Sequence, residues 1–286
     1  MAHAQGARAD PAAVDVETVQ VLRAGNPPSA LDWTQLWRYR DVYRYLAWRN
    51  LSVRYKQTVF GVVWAVARPL ALSGVMAVVV SLLRGAAFGD EFPAIVTATL
   101  LWGLVRSGVG LAAESLVASP DLVRKVYFPR LWLPAAATTV GLVDVCVAAP
   151  FLIAALWWMG ALSVGWTVLL APLILAQVTV LAGGLGAGLA AVNVRFRDVR
   201  YAVPFLVQVW FFATPILYRV SDVPARWRWV LWCNPAAGPV AALRAALLGG
   251  ALPWGLWGAS AAVTVVLAWV GLRVFACMER RFADVI

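Results

Sequence analysis

One histidine, His3, and two lysines, Lys56 and Lys125, are all that this 286-residue chain holds of either type. Imidazole catalysis and histidine metal ligation are therefore excluded. Neither lysine follows the glycines of a G-x-x-x-x-G-K-[ST] phosphate loop, so the chain does not bind ATP in that manner. Cysteine is also scarce: Cys146, Cys233 and Cys277 show no C-x-x-C spacing, and neither a disulfide framework nor a metal site follows from them. Charge is in short supply too. Only 13% of residues are Asp, Glu, Lys or Arg, against roughly a quarter in average soluble proteins.

What remains is 62% hydrophobic, with a mean hydropathy of +0.77, and belongs in a bilayer. The net charge of +10 does not call for nucleic acid, because the basic residues flank apolar runs, where phospholipid head groups are the nearest anions. Residues 1–30 are rich in Ala, Pro and Gly, lack the apolar core of a signal peptide, and read as a flexible cytoplasmic tail. Residues 31–61 mix aromatics with arginines. Trp33, Leu36, Trp37, Ala47, Trp48 and Leu51 share one helical face, but Arg40, Arg44 and Arg54 fall there too. Because arginine stems snorkel and Trp and Tyr favour the head-group layer, this stretch reads as an amphipathic helix lying along the membrane, open to a bend. A basic nucleic-acid stripe is the alternative, disfavoured by the apolar run that follows at once.

Six apolar segments come next, at about 62–83, 92–113, 133–159, 166–192, 201–218 and 254–278, each near the ~20 residues that cross a bilayer core. The expected fold is an all-α membrane protein. It has six transmembrane helices (62–278), an N-terminal interfacial helix, and short re-entrant helices before the last span. Basic residues orient it: Arg124, Lys125 and Arg130, then Arg195, Arg197 and Arg200, then Arg280 and Arg281 in the tail at 279–286 all fall on one side. The other side offers Arg84 offset by Asp90 and Glu91, and an uncharged turn at 160–165. Both termini are thus expected in the cytoplasm. The external stretch 219–253 departs from the pattern with Arg219, Arg226, Arg228 and Arg244. Its apolar residues and its breaks at Asn234-Pro235 and Gly238-Pro239 predict two short helices dipping into the outer leaflet. A full span at 227–250 would instead make seven crossings.

Within the loop 114–132, Ser119 suits an N-cap, Pro120 the first helical position and Asp121 the positive end of the helix dipole. Pro129 disfavours helix at Phe128, which leaves about nine residues. Leu122, Val123, Val126 and Tyr127 would share one face, leaving Asp121, Arg124 and Lys125 to water or a partner. Such a helix can carry force into the spans behind it, or be a solvated loop. Two charges interrupt the spans, Arg106 and Asp144, and their similar depth in adjacent segments predicts an ion pair, with separate contacts to water or carbonyls as the alternative. Gly183, Gly184, Gly186 and Gly188 sit inside an apolar helix and read as close helix packing rather than a nucleotide fingerprint. The aromatics of 201–218, among them Trp210, Phe211, Phe212 and Tyr218, together with Trp64 and Trp102, read as either packing residues or the lining of a path on which sugar rings slide.

Four blocks in order carry a family resemblance: RNLSVRYKQTVFGVVWAVARPL at 49–70, DLVRKVYFPR at 121–130 with Pro134, NVRFRD at 193–198, and TPILY at 214–218 through Trp227, Asn234-Pro235 and Arg244. Together they resemble type 2 ABC transporter permeases of the polysaccharide export branch. The resemblance implies a homodimer of six-span protomers in the inner membrane, with two separate ATP-binding cassette subunits beneath. It implies no cofactor on this chain, ATP and Mg being held by the partner, and a lipid-linked polysaccharide of O-antigen, capsule, teichoic acid or galactan type as cargo. The ATPase would engage Asp121, Leu122, Arg124, Lys125, Tyr127, Phe128, Pro129 and Arg130. The helix bearing Trp37, Arg40, Arg44, Trp48 and Arg54 would gate the inner mouth. Relatives carry an uncharged polar residue in place of Arg68, so the entry here is more cationic and suits a lipid phosphate. Ala-Ala-Gly-Pro after Asn234-Pro235 also departs from the pattern. The rival readings are a permease of the same architecture for small lipophiles or drugs, and a membrane enzyme acting on polyprenyl phosphates. The enzyme is disfavoured because Glu114, Asp121, Asp144 and Asp198 are scattered.

Overall fold

The computed structural model describes residues 32–56, 61–279 and Phe282. The tail expected at 1–30, with His3, lies outside the described residues, as do Gln57 of the interfacial segment and Arg280, Arg281 and 283–286 of the C-terminal tail. Every regular element among the described residues is helical. Helix α1 (Trp33–Arg38) starts at Asp32, whose carboxylate accepts from the N–H groups of Thr34 at 3.0 Å and Gln35 at 3.4 Å. At Tyr39 the backbone leaves helical geometry, and α2 (Arg40–Tyr55) follows. The N-terminal amphipathic stretch is therefore two helices.

Helices α3 (Gly61–Arg84), α4 (Phe88–Glu114), α5 (Pro120–Lys125) and α6 (Trp132–Trp158) come next. A 3₁₀ turn, Trp166–Leu170, leads into α7 (Ala171–Arg195), then α8 (Val199–Ala213), α9 (Arg228–Trp232), α10 (Ala237–Leu248) and α11 (Trp254–Glu279). Five of these, α3, α4, α6, α7 with its leading turn, and α11, are long and apolar enough to cross a membrane. The protein is a multi-pass membrane protein. The segment expected at 201–218 is shorter than predicted, because α8 has 15 residues, about 22 Å of helix. Its end has a local cause: Pro215 disfavours helical backbone at the residue before it, and Thr214 turns extended.

At the centre lies α4, buried along most of its length and packed by α3, α6, α7, α8 and α10. The glycines of α7 serve close packing against α11. A Cβ on Gly184 would overlap the backbone of Ala268, one on Gly188 would come within 2.8 Å of the Gly271 Cα, and one on Gly271 would overlap the Gly184 carbonyl. On another side of α7, a Cβ on Gly186 would lie 2.5 Å from Ala112 of α4. A second apolar cluster closes the end of the bundle near α5, where Phe128, Val123, Leu116 and Leu133 meet Phe275 and Phe282, with Leu46 and Ala47 of α2.

Candidate transport path and coupling surface

The segment expected to couple to an ATPase is helical only over Pro120–Lys125, six residues rather than nine. Val126 is extended, and Val126 and Tyr127 are exposed instead of joining Leu122 and Val123 on an apolar face. The reason is Phe128, which is buried at 6% exposure and is placed by Pro129 in an extended approach to the core. Ser119 makes no side-chain cap; its hydroxyl accepts from Arg49 of α2 at 3.5 Å. Asp121 and Lys125 pair along the exposed face at 2.9 Å, and Arg124 is exposed beside them. This segment also touches its neighbours. Tyr127 meets Tyr39 edge-on at 6.4 Å, and Arg130 donates to the Glu279 carbonyl at the end of α11 at 2.9 Å. The residues just after α5 therefore touch both the α1–α2 elbow and the end of α11. Asn193, which sequence offered only as the start of the block at 193–198, is buried in α7 and ties it to α4 by donating to the Ala113 carbonyl at 2.9 Å.

Asp144 meets an arginine, but not Arg106. Its carboxylate sits 2.6 Å from Arg54 and accepts from the Tyr55 hydroxyl at 2.5 Å, both at the end of α2. Burial, and then the bond to Asp144, push the Tyr55 phenol above its ordinary range, so it stays a donor. Twelve residues earlier on α2, Tyr43 shares a 2.7 Å hydrogen bond with Thr139 and its ring lies 4.9 Å from Trp132. The helix is thus fastened to α6 at both ends. The expected pairing fails because α2 reaches the one carboxylate of α6 first. Among the described residues Arg106 forms no ion pair and is exposed on α4. The other expected gate residues face outward: Trp37 and Trp48 are 71% and 72% exposed, Arg40 stacks 5.1 Å over Trp37, and Arg44 pairs with Asp41 at 3.1 Å.

The six aromatics expected to line a path divide. Trp102 and Phe211 are each 4% exposed, and Trp102 packs edge-on against both Trp210 and Phe211. These are core residues of the protomer. Trp210 is half-buried and donates its indole N–H to Asn234 at 2.9 Å, while Tyr218 caps the Ala213 carbonyl at 3.0 Å. Trp64 and Phe212 are well exposed, and Phe212 continues a stripe on α8 with Tyr201 and Phe205 at helical spacing.

Beyond α8 the chain is irregular, and polar side chains satisfy its backbone. Arg244 of α10 donates to the carbonyls of Ala94 at 2.8 Å, Pro215 at 2.7 Å and Tyr218 at 3.2 Å, and also to that of Ile216. Asn234 donates to the Ala213 carbonyl and the Thr214 hydroxyl, both at 3.1 Å, and accepts from Trp210 and the Ala236 N–H. Irregular backbone at membrane depth needs such cover. Ala236–Pro239 is ordered by close approach: the Gly238 N–H donates to Ser260 at 3.0 Å, where a Cβ would strike α11. At the same end Arg84 binds Glu91 at 3.2 Å and Asp222 at 2.8 Å, clasping the α3–α4 elbow to the loop after α8 around an open cavity of about 630 Å³. Arg84 and Glu91 were legible as an offset pair; Asp222, 138 positions away, was not.

Residues 41–248 match the family model described as ABC-2 type transporter. The chain is 26% identical over 242 residues to an O-antigen export system permease protein RfbA of Klebsiella pneumoniae, covering 83% of this chain and 92% of that protein. To the protein of the same name from Myxococcus xanthus it is 30% identical over 255 residues, covering 87% and 97%. With the family model covering well over half the chain and a relative matched almost end to end, this protein belongs to the ABC-2 type transporter family.

Proposed function

We propose that the chain is the membrane-spanning permease subunit of an ATP-driven exporter of lipid-linked polysaccharide, of the kind named for its O-antigen relatives. The observation carrying this reading is the near full-length match to export permeases, 92% and 97% of their length. In the proposed assembly two copies sit in the inner membrane with both termini cytoplasmic, and α8 with the extended residues after it makes the sixth crossing. ATP and Mg belong to two partner subunits. Each partner presses on the face bearing Asp121, Arg124 and Lys125. The contacts of Tyr127 with Tyr39, and of Arg130 with Glu279, pass that displacement to the gate helices and α11. The outward aromatics Tyr201, Phe205, Phe212 and Trp64 give the polymer ring faces to slide on. Deleting the gene and blotting surface polysaccharide tests the cargo: the polymer disappears from the surface and undecorated lipid-linked chains accumulate inside. Unchanged surface polymer refutes the reading.

A further inference from the structure

Among the described residues Arg68, Arg106 and Arg273, each well inside a span helix, make no ion pair, and Arg273 stacks 5.2 Å over the Trp269 ring. Arg68 of α3 and Arg106 of α4 lie in helices that pack side by side and antiparallel, each roughly 11–12 Å from the helix end nearest α5. Both are exposed on the protomer. At matched height on packed helices, two like charges are held apart from any carboxylate and gain from an anion between them. The carboxylate that sequence offered, Asp144, is already held by Arg54 and Tyr55. Among the described residues Arg68 and Arg106 are thus left without a carboxylate, in spans where an uncompensated charge costs about 2.5–3.5 kcal/mol on insertion scales.

The surface around Arg106 is also bare. Gly103 and Gly110 flank it one turn away on either side, and a Cβ on either would meet nothing within 4 Å. Directly after Arg68, Pro69 lacks an N–H and so leaves a backbone carbonyl of the preceding turn without its usual donor. Delocalised cations at matched height beside open helix surface match the phosphate of a lipid, because guanidinium binds phosphate oxygens through parallel N–H bonds.

We infer that Arg68 and Arg106 together form an anion site that grips a lipid phosphate in the third of the membrane nearest α5. Within the proposed function, which this inference rests on, the phosphate is the diphosphate of the polyprenyl carrier. The site holds the lipid head while the attached glycan enters. Head groups of bulk anionic phospholipid carry the same chemistry and are the other source.

The test uses the full chain in nanodiscs of phosphatidylcholine, with retention of added undecaprenyl diphosphate, undecaprenol or phosphatidylglycerol measured by native mass spectrometry. Retention of the diphosphate is expected to fall by about tenfold or more in Arg68→Gln and in Arg106→Gln, with undecaprenol unaffected. Arg→Lys variants are expected to retain part of it, since they keep the charge but lose the fork. Arginine-dependent retention of phosphatidylglycerol alone supports the site with bulk lipid as its source. Equal diphosphate retention by wild type and both Gln variants overturns the inference. Thermal unfolding of each variant without added lipid checks folding, and removing a charge from a span should not weaken it. Export in cells separates the two claims: Gln variants that bind and export as wild type sink the anion site alone, whereas surface polymer surviving gene deletion sinks the export reading.

Discussion

Replacing Asp144 by Asn should release the end of α2 while leaving the protein inserted. The carboxylate receives the Tyr55 hydroxyl at 2.5 Å and Arg54 at 2.6 Å, with the Arg54 side chain 42% exposed and that of Asp144 17% exposed. A hydrogen bond to a charged group is worth about 1.5–3 kcal/mol when buried, while a half-exposed pair adds about 1 kcal/mol or less. Asn keeps a weakened bond to Tyr55 and loses the pair, so roughly 2–3 kcal/mol of local stability goes. Removing the charge simultaneously eases insertion of α6 by a comparable amount. Expression should hold. Hydrogen exchange of the full chain in nanodiscs should then show amides of α2 opening about 30- to 150-fold faster. Arg106→Gln should leave those amides unchanged. If α2 exchanges within twofold of wild type in Asp144→Asn, or if Arg54→Gln and Asp144→Asn prove additive, the fastening of α2 to α6 is not what holds it.

Charge reversal at Arg124 and Lys125 should uncouple ATP turnover from export in the reconstituted complex with its ATPase. Its effect on thermal stability should stay within about 0.5 kcal/mol, because the Asp121–Lys125 pair is exposed. Gly271→Ala should lower the unfolding temperature markedly, since its methyl overlaps the Gly184 carbonyl and overpacking costs about 1–3 kcal/mol; Gly74→Ala, facing open space, should be neutral by the same scan. Arg244→Lys should release the loop after α8, as one ammonium cannot reach four carbonyls, and limited proteolysis should cut near 214–222 in the variant alone. Burial pushes the Asp222 carboxyl up, but the Arg219 N–H and the charge of Arg84 outweigh it and hold it below the ordinary range. The clasp it makes is therefore complete above about pH 4 and lost as pH falls through the depressed value. Protection of the amides of 219–227, corrected for intrinsic exchange, should fall as pH drops below the ordinary carboxylate range in wild type, and less so in Asp222→Asn, where Glu91 is the carboxylate left on Arg84.

Span positions were legible because unbroken apolar runs admit little else, and the observed ends of α3, α4, α6 and α11 lie within a few residues of expectation. The glycines of α7 were legible for a similar reason, as small residues inside an apolar helix have few other uses. The partner of Asp144 was not. Two spans at matching depth invite pairing, yet Arg54 belongs to a helix outside the spans, and only tertiary packing brings it to α6. The length of α5 was missed because periodicity continues through Val126 and Tyr127, while burial of Phe128 requires extended chain. The aromatics of α8 fall on both faces of an apolar helix, so composition could not tell Phe211, buried against Trp102 of α4, from the outward set, Tyr201, Phe205 and Phe212. Arg244 signalled itself as a charge in an apolar stretch, but its role as a carbonyl clamp depends on where the chain breaks at Pro215.

The glycine seam has a mechanical consequence. With backbone against backbone at Gly184, Gly188 and Gly271, α7 and α11 have no side-chain cushion between them and can neither slide nor rotate independently. They form a single stiff strut, with α4 wedged against it through Gly186 and Ala112. In the proposed exporter, opening and closing would then fall to the elements hung on that strut by polar ties, α2 and the loop after α8, where replacing one bond with another deforms nothing inside the frame.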